Sequence, residues 1–338
     1  MKKFRGLAIF CSLVLLAFQL TVPGQGGDAE IFKFKFKPGQ PLYYRMTMDM
    51  DIGMDIKVAE RSVKTDMVIK IKWTIKLTPQ NKTGDPTLLD METTNLEVDW
   101  NIGTPQGQVK AAMRGDHVFS TLNGNTVIDT KKGIGLAQAK VMSKELEPLK
   151  MKGQIEMFTT GRHGKIIGDP KFVKFWTEGL EGQVSFFGLF FTKDPVAVGE
   201  SFHEYLFLKK IGQLTLQEPG LQCKVLVSRL PDKTIAGRTF SAFKISAPFL
   251  QQDLTGSIKV GAQKMKVDIL EFKRDAAGNA LFDNKKGTLI DSQLDIKAMA
   301  KMKLASGTQS ALMDMDMKIT LDIRKVDLKE LYSKPAAR

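Results

Sequence analysis

Past residue 26 this chain holds a single cysteine, Cys223, and it contains three histidines in all. One thiol closes no intramolecular disulfide, so stability has to come from a buried core, and more than 300 residues are ample for one. Cys223 shares parity with Leu221, Val225 and Val227, which reads as a small buried hydrophobe rather than a nucleophile. His117, His163 and His203 lie far apart, and none has a metal-ligating neighbour at i+2, i+3 or i+4. His163 sits in Gly161-Arg162-His163-Gly164, where a solvated turn histidine is expected. There is no Gly-x-Ser-x-Gly elbow, no His-Glu-x-x-His helix and no phosphate-cradling loop. Gly133-Ile134-Gly135 lacks a βαβ context and reads as a loop. With no catalytic set, no metal site and no cofactor motif, the chain reads as non-catalytic and cofactor-free.

A long apolar run is missing as well. The longest, Leu7 to Leu20, is shorter than the ~20 residues needed to span a bilayer. Lys2, Lys3 and Arg5 precede it and Val22-Pro23-Gly24-Gln25-Gly26 follows, which is the layout of a cleaved secretory signal. Cys11 follows bulky Ile9 and Phe10 inside the run, so a lipoprotein reading fails. The expectation is an exported protein, periplasmic or extracellular, soluble after cleavage between Gln25 and Asp28. The net charge of +13 falls to about +10 without Lys2, Lys3 and Arg5. That excess favours an anionic envelope surface, whereas the export signal disfavours nucleic acid. The lysines are dispersed, as in Lys33/Lys35/Lys37, Lys70/Lys72/Lys76 and Lys301/Lys303, so a solvated outer face accounts for them too.

What the chain does have is a two-residue rhythm written largely in methionine. Met46, Met48, Met50, Ile52, Met54 and Ile56 alternate with Thr47, Asp49, Asp51, Gly53 and Asp55. Met313, Met315, Met317, Ile319, Leu321 and Ile323 alternate with Asp314, Asp316, Lys318, Thr320, Asp322 and Arg324. Only a β-strand separates such sets onto opposite faces. Similar alternation predicts strands at 42–58, 63–78 and 87–102, with Ile31–Lys37 ahead of them, all longer than or near the usual ~5–6 residues. Two helices interrupt: Leu136–Leu149, with Leu136, Met142, Leu146 and Leu149 on one face, and Lys171–Glu178, capped by Asp169-Pro170 and carrying Phe172, Phe175 and Trp176. The aromatic stretch Val184–Phe191 reads as a plug at the end of the core, with a lipid-touching loop as the other reading.

The halves resemble each other. Gly115-Asp116-His117-Val118-Phe119 and Gly124-Asn125-Thr126-Val127-Ile128-Asp129 recur as Gly278-Asn279-Ala280-Leu281-Phe282 and Gly287-Thr288-Leu289-Ile290-Asp291, each 163 residues on. Gly39 and Gly199 match at an offset of 160. Ordinary hairpin grammar is the competing explanation. The expected organisation is a signal peptide at 1–26, a first β-rich half with two helices at 27–192, a second β-rich half at 193–326 and a C-terminal tail at 327–338.

Pro195-Val196-Ala197-Val198-Gly199-Glu200-Ser201-Phe202, Gly237-Arg238-Thr239-Phe240 and Phe282-Asp283 leading to Gly287-Thr288-Leu289 resemble the motifs of a family of exported bacterial proteins of uncharacterised function. The resemblance spans most of the chain but transfers no activity and no site. The plan of an exported curved antiparallel sheet under helices is similar to periplasmic lipoprotein carriers of the LolA/LolB type, as architecture only.

The expected fold is mainly β (α+β), a large curved antiparallel sheet or half-barrel from two duplicated halves with a few covering helices. For the methionines, core filling ranks first, an adaptable apolar binding surface second and Cu(I) ligation by thioethers third. Neighbours on one strand face lie ~6.5–7 Å apart, so copper would need a second strand. The carboxylates Asp49/Asp51/Asp55 and Asp314/Asp316 read as solubilising charges. The expected function is non-catalytic binding of a lipid or other hydrophobe. Its candidate face is Met46, Met48, Met50, Met54, Trp73, Met313, Met315 and Met317. The alternative is a structural or protein-interaction module with a sealed core.

Overall fold

The computed structural model describes residues 28–330, apart from 59–60, 81–83, 146, 181–186, 209, 212–213, 218–219, 248–253, 261–262, 307–308 and 328–329. The signal-like segment and nearly all of the expected tail lie outside the described residues. Strict alternation yields very long strands: β1 (Leu42–Val58), β2 (Arg61–Pro79), β3 (Thr87–Thr104), β15 (Gln263–Asp283), β16 (Thr288–Ser306) and β17 (Gln309–Lys325). They lie side by side, all antiparallel, in the order β3-β2-β1-β17-β16-β15. The join between the N- and C-terminal parts is the β1–β17 ladder, which runs from Tyr44↔Lys325 to Lys57↔Leu312. One continuous antiparallel sheet results, and it does not close.

Each outer long strand forks. The free edge of β3 pairs β4 (Gly107–Arg114) over its second part and β7 (Lys152–Met157) over its first. Beyond these come β5 (His117–Leu122), β6 (Asn125–Asp129) and β8 (His163–Gly168). The free edge of β15 likewise takes β14 (Leu254–Val260) and β13 (Arg238–Ala247). From β14 the sheet passes to β11 (Leu214–Leu216) and β10 (Lys210–Ile211), and from β13 to β12 (Leu221–Ile235) and β9 (Ser201–Leu208). Gly39 and Gly199 both occupy turns at positive φ, 69° and 90°, just ahead of β1 and β9. Gly124 and Gly287 both turn hairpins at positive φ, while Gly115 lies in a turn and Gly278 lies inside β15.

Ile31–Lys37 alternates as a strand would, with Phe32 and Phe34 each 1% exposed, yet it joins no ladder. It is an extended strap instead. Phe34 N donates to Thr159 O at 2.7 Å and Lys35 N to Gly287 O at 2.9 Å, so two turns rather than one strand hold it. Arg229 fastens its start: Nη1 donates to Val196 O at 2.6 Å and to Asp28 O at 3.2 Å, with Phe32 beneath the guanidinium at 4.9 Å.

The helices are α1 (Leu136–Glu145), α2 (Glu147–Lys150) and α3 (Pro170–Leu180). The helix expected at 136–149 is described as helical over Leu136–Glu145 and Glu147–Lys150. Leu136 is 56% exposed and Ala139 is the buried contact, contrary to the expected face; Leu146 lies outside the described residues, as do the side chains of Met142 and Leu149. In α3, Lys171 N donates to Asp169 Oδ1 at 2.8 Å, the expected cap, and Phe172 and Trp176 are buried. Phe172 lies so close over β7 that a Cβ on Gly153 would fall 2.1 Å from its ring. His163 is not in a turn: it opens β8 opposite Met157 and is half-buried.

The plug is aromatic. Phe187, Leu189, Phe190 and Phe191 are at most 2% exposed, and Phe187 meets Tyr44 at 4.8 Å while Phe191 meets Phe282 at 4.8 Å. Val184–Phe186 lie outside the described residues. The sealed core therefore sits over the Tyr44 end of the long strands.

Candidate hydrophobic-ligand face

The registers bring both methionine phrases onto one face of adjacent strands. Met46 stands opposite Ile323, Met48 opposite Leu321, Met50 opposite Ile319, Ile52 opposite Met317, Met54 opposite Met315 and Ile56 opposite Met313. The rows continue outward. Met50 is flanked by Ile69 and then Trp100 on one side, and by Ile319 and then Ile296 on the other. Ile52 is flanked by Met67 and Ile102, and by Met317 and Ala298. One apolar surface thus crosses the long strands, while the opposite face carries ion pairs such as Lys70–Asp49 at 3.7 Å and Lys57–Asp314 at 3.1 Å. Lys273 and Lys301 together hold the Glu271 carboxyl below the usual range. Exposed pairs of this kind contribute little to stability.

Burial is graded along this face. Tyr44 is 0% and Met46 5% exposed under the plug, and Trp73, opposite Met46, is 7% exposed. From Met48 to Ile56 every inward residue of β1 is only half-buried. Met48 and Ile71 pack against the large core, whereas Met313 and Met315 pack against a second buried cluster built from Met302, Ala300, Phe272, Ile269 and Cys223. Met50, Ile52, Met54, Met67, Ile102, Ile296, Met317 and Ile319 belong to neither cluster and are half-buried. Full burial of such a side chain is worth about 1.5–3 kcal/mol, so this stretch leaves part of that unrealised.

Of the residues expected from sequence, Met46 and Trp73 lie in the sealed core, Met48 at its margin, and Met313 and Met315 at the second cluster. Met50, Met54 and Met317 occupy the half-buried stretch. The candidate set omitted Met67, Ile102, Ile296 and Ile319, whose parity marks them for the same face. It also left out Arg274, a charge at an inward position of β15, whose parity is obscured by the bulge between Ile269 and Glu271. The cross-strand pair Met54–Met315 supplies the second strand that thioether ligation would need. Among the described residues no group of three or more His, Cys, Asp or Glu is placed to hold a metal ion.

Two clefts lie off this face. One, of about 540 Å³, is bounded by Phe158, Phe190, Phe191 and Phe202, with an Arg162–Glu204 ion pair at its rim. Its floor is already satisfied, since Phe190 packs edge-on to Phe202 at 5.6 Å. The other, of about 500 Å³, lies among Arg238, Phe240, Arg324 and Lys325. Arg238 there pairs with Asp283 at 2.9 Å, and burial lowers the Lys325 pKa. No helix among the described residues is long and apolar enough to cross a membrane.

No family model matches the chain. No curated protein matches it either. Among solved structures it is similar to lipovitellin, in a structure described by its lipid–protein interactions, at 12% identity and a TM-score of 0.41. That match covers 90% of this chain and 27% of the other, so the chain spans about a quarter of the lipovitellin chain's length. It is also similar to the β domain of the Bordetella autotransporter BrkA, at 8% identity and a TM-score of 0.23 over 85% of this chain and 99% of that one. A third likeness is to an outer membrane channel from Pseudomonas putida F1, at 8% identity and a TM-score of 0.20 over 89% and 100%. Likenesses this distant transfer no site and no activity.

Proposed function

We propose that this chain is an exported, non-catalytic envelope protein that holds a lipid or other hydrophobe against the half-buried stretch of its methionine face. The observation that carries this reading is the burial gradient along β1: sealed at Tyr44 and Met46, half-open from Met48 to Ile56. A face made only for packing would be covered along its whole length, because each uncovered aliphatic side chain forgoes stabilisation. Methionine suits the role, being unbranched and polarizable enough to adapt to ligands of different shape. The dispersed lysines of the other face, and the net charge of about +10 that remains without Lys2, Lys3 and Arg5, agree with work beside an anionic envelope surface.

The test is mass spectrometry of organic extracts from gently purified protein. The reading expects a hydrophobe recovered in near-stoichiometric amount. An extract free of lipid, from protein that also takes up no fluorescent acyl probe, would leave the structural or protein-interaction module.

A further inference from the structure

One inward row of the sheet runs Arg274, Ala298, Met317, Ile52, Met67, Ile102, each residue standing directly opposite the next on adjoining strands. The rows on either side are apolar there: Phe272, Ala300, Met315, Met54 and Ala276, Ile296, Ile319, Met50. Arg274 thus sets a guanidinium into an otherwise apolar surface, beside Ala298 and Ala276, each 3% exposed. It is itself half-buried.

The described residues around it supply no counter-charge. Nη1 lies 3.8 Å from Cys223 Sγ, a weak acceptor, and among the described residues no carboxylate lies within ion-pair distance. Burial pushes the Cys223 thiol up against a smaller opposing pull from Arg274, so the sulfur stays neutral at physiological pH. A guanidinium remains charged at any such pH, and its fork of donors matches carboxylate and phosphate oxygens. Taking that charge partly out of water without an anion is costly, and an anion restores the balance.

We propose that Arg274 binds the anionic head of a single-chain amphiphile, a carboxylate or phosphate, whose apolar tail lies across Met317, Ile52 and Met67. The assignment rests on the reading of the face as a ligand site and names the class of ligand. From Arg274 to Met67 is four strand spacings, about 19 Å, which is on the scale of a long acyl chain. The tail crosses the half-buried stretch, and the head sits at the covered end, where low polarity strengthens the ion pair.

The test measures binding of oleate, oleoyl lysophosphatidate and oleyl alcohol to the intact protein, to Arg274→Gln and to Arg274→Lys. The wild type is expected to bind at least one of the anionic ligands about tenfold more tightly than the alcohol. Which of the two is preferred tells a free fatty acid from a phosphate-bearing lipid. Arg274→Gln should abolish that preference with the affinity for the alcohol unchanged, and Arg274→Lys should restore part of it. Equal affinity for acid and alcohol in the wild type, or a preference that survives Arg274→Gln, overturns the anchor and leaves the face intact as a ligand site. Failure of the wild type to bind any of the three overturns the face reading itself.

Discussion

Met54 of β1 stands directly opposite Met315 of β17, so the two methionine phrases, more than 250 residues apart, meet as partners on one face. Directly opposed side chains in an antiparallel pair have Cβ atoms ~4.5–5.5 Å apart and interact. Replacing both with leucine conserves volume and should cost less than ~1.5 kcal/mol at each site, read by denaturant unfolding. Because the two side chains face each other directly, a double-mutant cycle should show a coupling of about 0.5 kcal/mol or more.

The same pair bears on copper. If these thioethers serve an apolar ligand and the packing of Met302 and Ala300, Cu(I) offered with a competing chelator should form no tight stoichiometric complex. A submicromolar complex lost on Met54→Leu and Met315→Leu would put copper ahead of the hydrophobe.

Tyr44 is fully buried, and its hydroxyl has no hydrogen-bond partner among the described residues. Burial pushes its pKa well above the tyrosine range. Tyr44→Phe removes a desolvated polar atom and should leave stability at pH 7 unchanged or raise it by about 1 kcal/mol. The sign at high pH follows from linkage. The phenol is kept neutral in the fold but ionises in the unfolded chain above pH ~10, so wild-type stability falls as pH rises past that value. Melting curves at pH 7 and 10.5 should show a smaller alkaline loss for Tyr44→Phe than for wild type.

Arg229, 2% exposed, ties β12 to the strap through Val196 O and Asp28 O, with Glu30 at 3.5 Å and Asp232 at 3.8 Å. Arg229→Ala should cost about 1.5–3 kcal/mol and expose residues 28–37 to proteolysis, because the Val196 and Asp28 carbonyls lose a charged donor. Cleavage kinetics within Ile31–Lys37 would check this.

Much of this architecture was legible because period-two alternation is a local signal. The strands expected at 42–58, 63–78 and 87–102 stand at Leu42–Val58, Arg61–Pro79 and Thr87–Thr104. The strap misled because Phe32 and Phe34 alternate with lysines as in a strand, while hydrogen bonding to distant turns leaves no local mark. The grading of the face was invisible for a related reason: Met46 and Met54 look alike in sequence, and only the placement of Phe187 over Tyr44 separates them. Arg274 escaped notice because a bulge shifts the parity of β15 just before it.

The most direct test of a half-open methionine face compares Met46→Asp with Met54→Asp, following thermal unfolding and uptake of a fluorescent acyl probe together. Met46→Asp buries an unpaired carboxylate beneath the plug, should cost several kcal/mol, and should unfold or severely destabilise the protein. At Met54 the aspartate stays hydrated, so the protein should remain folded with a modest loss in melting temperature while probe uptake is lost. Equal collapse of both variants, with a wild type that takes up no probe, would contradict the account and mark the face as sealed core.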